Sequence, residues 1–99
     1  MNSKHWKADR KRRNEAIRMI GEGIEITRVV IDRGHENGAE IHTISTTGII
    51  TIYNQRTKKM ITKLIARPGQ LKRFWKEEEI PADLKQVCRE HQKAHYNSY

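Results

Sequence analysis

The chain has 99 residues, a formal net charge of +8 and 35% hydrophobic residues. That length supports one compact domain, residues 1–99, with a modest core. No apolar run approaches the ~20 residues a spanning helix needs, which argues against a membrane partner. Cys88 is the only cysteine, so no internal disulfide can form, and residues 1–20 start basic but never enter the apolar stretch of a signal peptide. A cytoplasmic protein is expected.

The first predicted element is a helix over residues 3–20. Ser3 is its N-cap, and Ala8, Ala16, Ile17 and Ile20 give it a weak apolar stripe behind Trp6. Residues 1–13 are basic enough to act as a flexible arm. Gly21 and Gly23 end the helix, and the β-branched run from Ile24 to Asp32 reads as a strand. A loop over Arg33–Gly38 leads to strands at Ala39–Ser45 and Ile49–Tyr53, joined by a tight turn at Thr46-Thr47-Gly48. A further turn over Asn54–Lys58 leads to a last strand, Lys59–Ala66, which Pro68-Gly69 terminates. Residues 70–78 read as a short helix. Pro81 opens a final, longer one with Ile80, Leu84, Val87, Cys88 and His91 at helical spacing. The expected fold class is α+β: an N-terminal helix, a four-stranded antiparallel meander and two C-terminal helices.

Charge is strongly segregated along this plan. Between Ile41 and Lys76 stand eight basic residues and no acidic one: Arg56, Lys58, Lys59, Lys63, Arg67, Lys72, Arg73 and Lys76. A second cluster, Lys4, Lys7, Arg10, Lys11, Arg12 and Arg13, is opposed only by Asp9. Such a field most commonly meets a phosphate backbone, with an acidic protein surface as the next candidate.

A turn at residues 46–47 would place His42 opposite Thr51, and a turn over 54–58 would place Tyr53 opposite Lys59. One face of the sheet would then carry Ile41, Thr43, Ile50, Ile52, Met60, Thr62 and Leu64 and take the helices. The other would carry Glu40, His42, Ile44, Ile49, Thr51, Tyr53, Lys59, Ile61 and Lys63 and stay partly open. A shift of the middle turn by one residue would remove His42 from that group. On this register His42, Tyr53 and Lys59 form the candidate catalytic set. Histidine suits proton transfer near neutral pH, tyrosine stacks on a base or donates a proton, and lysine stabilises charge on phosphorus. Arg56, Lys58, Lys63, Arg67, Lys72 and Arg73 are the candidate nucleic-acid-binding residues. The same His42 group also reads as ordinary cross-strand neighbours on a solvated face. Lys72-Arg-Phe-Trp-Lys76 suits single-stranded nucleic acid, although Leu71 and Phe74 at one helical turn more simply dock the short helix. Cys88, His91 and His95 share a helical face, but without a second ligand pair they are weak metal ligands. Neither metal nor cofactor is expected.

The helix followed by a meander with a polar centre and basic edges resembles the barnase–EndoU–colicin–RelE-like (BECR) small nuclease superfamily over roughly residues 5–67. The stretch Gly48-Ile-Ile-Thr-Ile-Tyr-Asn-Gln-Arg-Thr-Lys-Lys-Met-Ile-Thr62 looks like the final hairpin of these RNases, and Leu64-Ile-Ala-Arg-Pro-Gly-Gln70 is similar to segments of small phage or mobile-element proteins. The resemblance implies a toxin-like or phage-encoded endoribonuclease in a bacterial host. It would cleave RNA through the 2′-OH without metal, with an antitoxin or host protein as possible partner. The alternative is a non-enzymatic phage or mobile-element protein that binds nucleic acid or an acidic host-protein surface.

Overall fold

A computed structural model describes residues 3–95, with side chains from residue 10 onward. The side chains of Ser3, Lys4, Trp6, Lys7, Ala8 and Asp9, to which the sequence assigned a cap, an apolar stripe and part of the basic cluster, lie outside the described residues. Helix α1 spans Ser3–Ile20, so the expected basic arm is helical from residue 3 onward. It ends where Gly21 adopts a φ of 87° and its N–H returns to the Ile17 carbonyl at 2.8 Å, a left-handed cap that glycine supplies without steric cost.

Four strands follow, β1 (Glu25–Ile31), β2 (Glu40–Ser45), β3 (Ile49–Asn54) and β4 (Met60–Ile65), in one antiparallel sheet of order β1-β2-β3-β4. The expected C-terminal short helix is two 3-10 turns, Pro68–Arg73 and Glu77–Glu79, and helix α2 spans Ala82–His95. No helix among the described residues is long and apolar enough to cross a membrane.

The middle turn decides which side chains share a face, and here the structure corrects the expected register. Thr46, Thr47 and Gly48 all belong to the turn, with Gly48 at φ 78° and its N–H bonded to the Ser45 carbonyl at 3.0 Å. A three-residue connection with a left-handed last residue is a stable hairpin solution, and it moves β2 by one place against β3. His42 therefore pairs with Ile52, and Thr43 with Thr51. In the next hairpin a bulge inserts Ile61, so Tyr53 pairs with Met60 while Ile52 pairs with Thr62. Ile50, Ile52 and Leu64 keep their expected helix-covered face. Ile41, Thr43 and Met60 turn to the opposite one, and His42 and Ile44 join the covered face in their place.

Both faces then find partners. On one, Ile44, Ile50, Ile52, Ala66, Leu71, Leu84 and Cys88 form the main core, with Leu64, Phe74, Trp75 and Ile80 packed around it. Each fully buried isoleucine or leucine contributes roughly 1.5–3 kcal/mol relative to exposure. On the other, Ile49 and Ile65 meet Ile17 of α1, flanked by Ala16 and Ile20. That contact lays α1 beside β4, an edge strand, which the helix shields from pairing with another chain.

Candidate nucleic-acid interface

The register shift carries His42 into the interior, where its side chain is 2% exposed. Arg73 Nη1 lies 2.8 Å from His42 Nδ1, and Glu40 Oε1 lies 3.0 Å from Nε2. A guanidinium only donates hydrogen bonds, so Nδ1 is the acceptor and the ring proton sits on Nε2, donated to the Glu40 carboxylate. Both ring nitrogens are occupied. His42 thus bridges β2 to the 3-10 turn at Pro68–Arg73, and in this arrangement it presents no free nitrogen to a substrate. The expected grouping of His42 with Tyr53 and Lys59 is not assembled. Tyr53 lies on the opposite face between Ile41 and Met60, and Lys59 is exposed just before β4.

The partners of His42 reach outward. Its hydrogen bond holds the Glu40 carboxyl below the usual carboxylate range, against the opposing effect of partial burial. Burial lowers the Arg73 guanidinium from its ordinary value, and the nearby positive charge of Arg33 lowers it further, while Glu40 opposes both. Arg33 Nη1 stands 3.9 Å from Glu40 Oε1. Glu40 lines a shallow surface pocket with His35, Asn37, Gly38, Asn54, Arg56, Thr57 and Ile61. The loop that supplies His35 is tied to the β3–β4 turn. Asn54 Nδ2 donates to the Asn37 carbonyl at 2.9 Å, and the Gln55 N–H to that of Ala39 at 3.0 Å. The Arg56 guanidinium lies against Gly38, where an added Cβ would come within 3.3 Å of Nη2. Asn54 also shapes its own turn, its Oδ1 accepting the N–H groups of Arg56 and Thr57 at 2.9 Å each.

A larger groove, about 690 Å³, runs between α1 and β4. Arg10, Arg13, Arg18 and Lys63 line it, with Glu22 as its acidic residue and Ile17, Met60, Ile61 and Leu64 as its apolar ones. Arg13 Nη2 donates to Thr62 Oγ1 at 3.3 Å, while Arg13 Nε is buried with no hydrogen-bond partner among the described residues. Lys63 pairs with Glu22.

The remaining expected sites divide by location. Arg56 and Lys58 sit on the exposed β3–β4 turn, where Lys58 adopts a φ of 64°. Arg67 is exposed at the start of the 3-10 turn, its N–H bonded to Gln70 Oε1 at 2.9 Å. Lys72 forms a long ion pair with Glu77 at 3.5 Å. Phe74 and Trp75, 5.9 Å apart, pack on the main core, which leaves the docking reading of that aromatic pair in place. Cys88 is fully buried, and desolvation pushes its thiol up to about 11. His91 Nε2 donates to the Thr47 carbonyl at 2.7 Å, pinning α2 to the β2–β3 turn. No group of three His, Cys, Asp or Glu side chains among the described residues could hold a metal ion.

Arg10, Arg13 and Arg18 were visible only as a basic helix, and their meeting with β4 depends on how α1 docks. His35 was legible as the one imidazole in a loop bracketed by Gly34 and Gly38. No protein-family model, curated protein or solved structure matches this chain.

Proposed function

We propose that the protein binds nucleic acid through a phosphate-contacting surface centred on the groove between α1 and β4. The observation that supports this reading is the convergence of Arg10, Arg13, Arg18 and Lys63 on one groove, against the single carboxylate of Glu22. Residues far apart in the chain bring their charge to one place. Cations so arranged attract a polyanion and release its condensed counterions on binding. The test is a gel-shift comparison of wild type with a Arg10→Glu, Lys63→Glu double variant on bulk RNA. Loss of the shift in the variant supports the reading, and an unchanged shift moves the interface elsewhere. A wild type that captures acidic proteins but no nucleic acid replaces the reading with a protein partner.

A second reading, cleavage of RNA through its 2′-OH, agrees with the resemblance to small nucleases and draws support from the pocket holding His35, Glu40 and Arg56. In this reading the exposed His35 handles the proton, and Arg56 holds the phosphate. Glu40 is ionised but weakly basic because His42 lowers its proton affinity, and this sets binding ahead of cleavage. Cyclic-phosphate ends released from RNA in EDTA, and lost in His35→Ala, would reverse that order.

A further inference from the structure

The groove between α1 and β4 differs from a plain basic patch in what lies between its cations. Met60 and Ile61, the first two residues of β4, are 54% and 52% exposed, whereas Thr62, Lys63 and Leu64 are part-buried and Ile65 is buried. Met60 and Ile61 place two adjacent large apolar side chains among the cations Arg10, Arg13, Arg18 and Lys63. Ile61 owes its position to the bulge that sets it between the pairs Ile52–Thr62 and Tyr53–Met60. That extra residue is also the one side chain shared by the groove and the second pocket, where His35 and Arg56 lie.

We infer that this surface is a track for single-stranded nucleic acid, with phosphates on the arginines and Lys63, unstacked bases against Met60 and Ile61, and the strand continuing past Ile61 towards Arg56. The inference rests on the nucleic-acid reading above and narrows its substrate class. A duplex turns its charged backbone outward and keeps its base faces stacked, so it would set phosphates against Met60 and Ile61 and gain nothing from them. An unpaired strand exposes apolar base faces between its phosphates, and the same alternation lines the groove.

The experiment measures fluorescence anisotropy of labelled single-stranded RNA, single-stranded DNA and the matching duplexes, with wild type and two variants, Ile61→Ser and a Arg10→Gln, Arg18→Gln double. All three positions are on the surface, and retention of the wild-type melting profile verifies folding. Wild type should bind either single strand at least about tenfold more tightly than duplex. Ile61→Ser should weaken single-strand binding several-fold at an unchanged salt slope. The double arginine variant should reduce that slope by roughly 0.7 per lost phosphate contact. Equal affinity for duplex and single strand, or single-strand affinity untouched by Ile61→Ser, overturns the track while leaving nucleic-acid binding intact. Absence of wild-type binding to any of the four probes at low salt overturns the underlying reading as well.

Discussion

Replacing His42 by alanine should destabilise the fold and act on function only through it. The imidazole is 2% exposed and joins Arg73 to Glu40. Truncation leaves a cavity beside Ile44 and Ile52 and strips Arg73 of an acceptor. A large-to-small change in a packed core costs about 2–5 kcal/mol. An abandoned hydrogen bond to a partly buried charged group adds about 1–3 kcal/mol. The Glu40 carboxylate, 28% exposed, recovers water, so its lost bond adds little. The lower ends of these ranges give a loss of about 3 kcal/mol, or roughly 15 °C in Tm for a chain of this size. Urea unfolding followed by fluorescence of Trp75, which packs on the main core, measures it. A double-mutant cycle with Arg73→Ala should return a coupling of about 1–2 kcal/mol, because the two side chains share one bond. A His42→Ala protein that matches wild-type stability to within about 0.5 kcal/mol would refute the assignment of His42 as a structural bridge.

Gly48→Ala should cost at least about 1–2 kcal/mol by thermal melting, since a Cβ there meets the His91 ring at 3.1 Å and the position holds a φ of 78°. Cys88 should resist iodoacetamide at mild alkaline pH and react readily in urea. Its thiol is held protonated up to about 11, and the stability this confers, present below the unfolded value of 9.0, is lost as pH rises through the folded one. Glu40 works in the opposite sense. Its lowered carboxyl contributes stability above the unfolded value of 4.5 that is lost as pH falls through the folded one, so Glu40→Gln should flatten the acid side of a stability-versus-pH curve.

Much of the fold is written locally in the sequence. Gly21 stops α1, the β-branched runs make strands, and Pro68 and Pro81 punctuate the C-terminal third, so element types and the meander follow from short-range chemistry. The face of each side chain does not. Thr46-Thr47-Gly48 supports a two- or a three-residue turn, and the choice of three carries His42 from the open face to the covered one. Ile61 fits the alternation of β4 as well as Met60 does, and only cross-strand pairing reveals it as the bulge. The groove is less legible still. Its rim joins Arg13 to Thr62 across 49 positions of sequence, through the docking of α1 by Ile17 on Ile49 and Ile65. Composition shows the excess of positive charge, but the place where that charge gathers is a product of tertiary packing.

The affinity for single-stranded RNA as a function of salt tests the central claim most directly. If Arg10, Arg13, Arg18 and Lys63 each neutralise a phosphate, log K should fall linearly with log salt with a slope near about −3, from roughly 0.7 per contact. A slope near zero, or no binding at low salt, would contradict the assignment of the α1–β4 groove as a nucleic-acid interface.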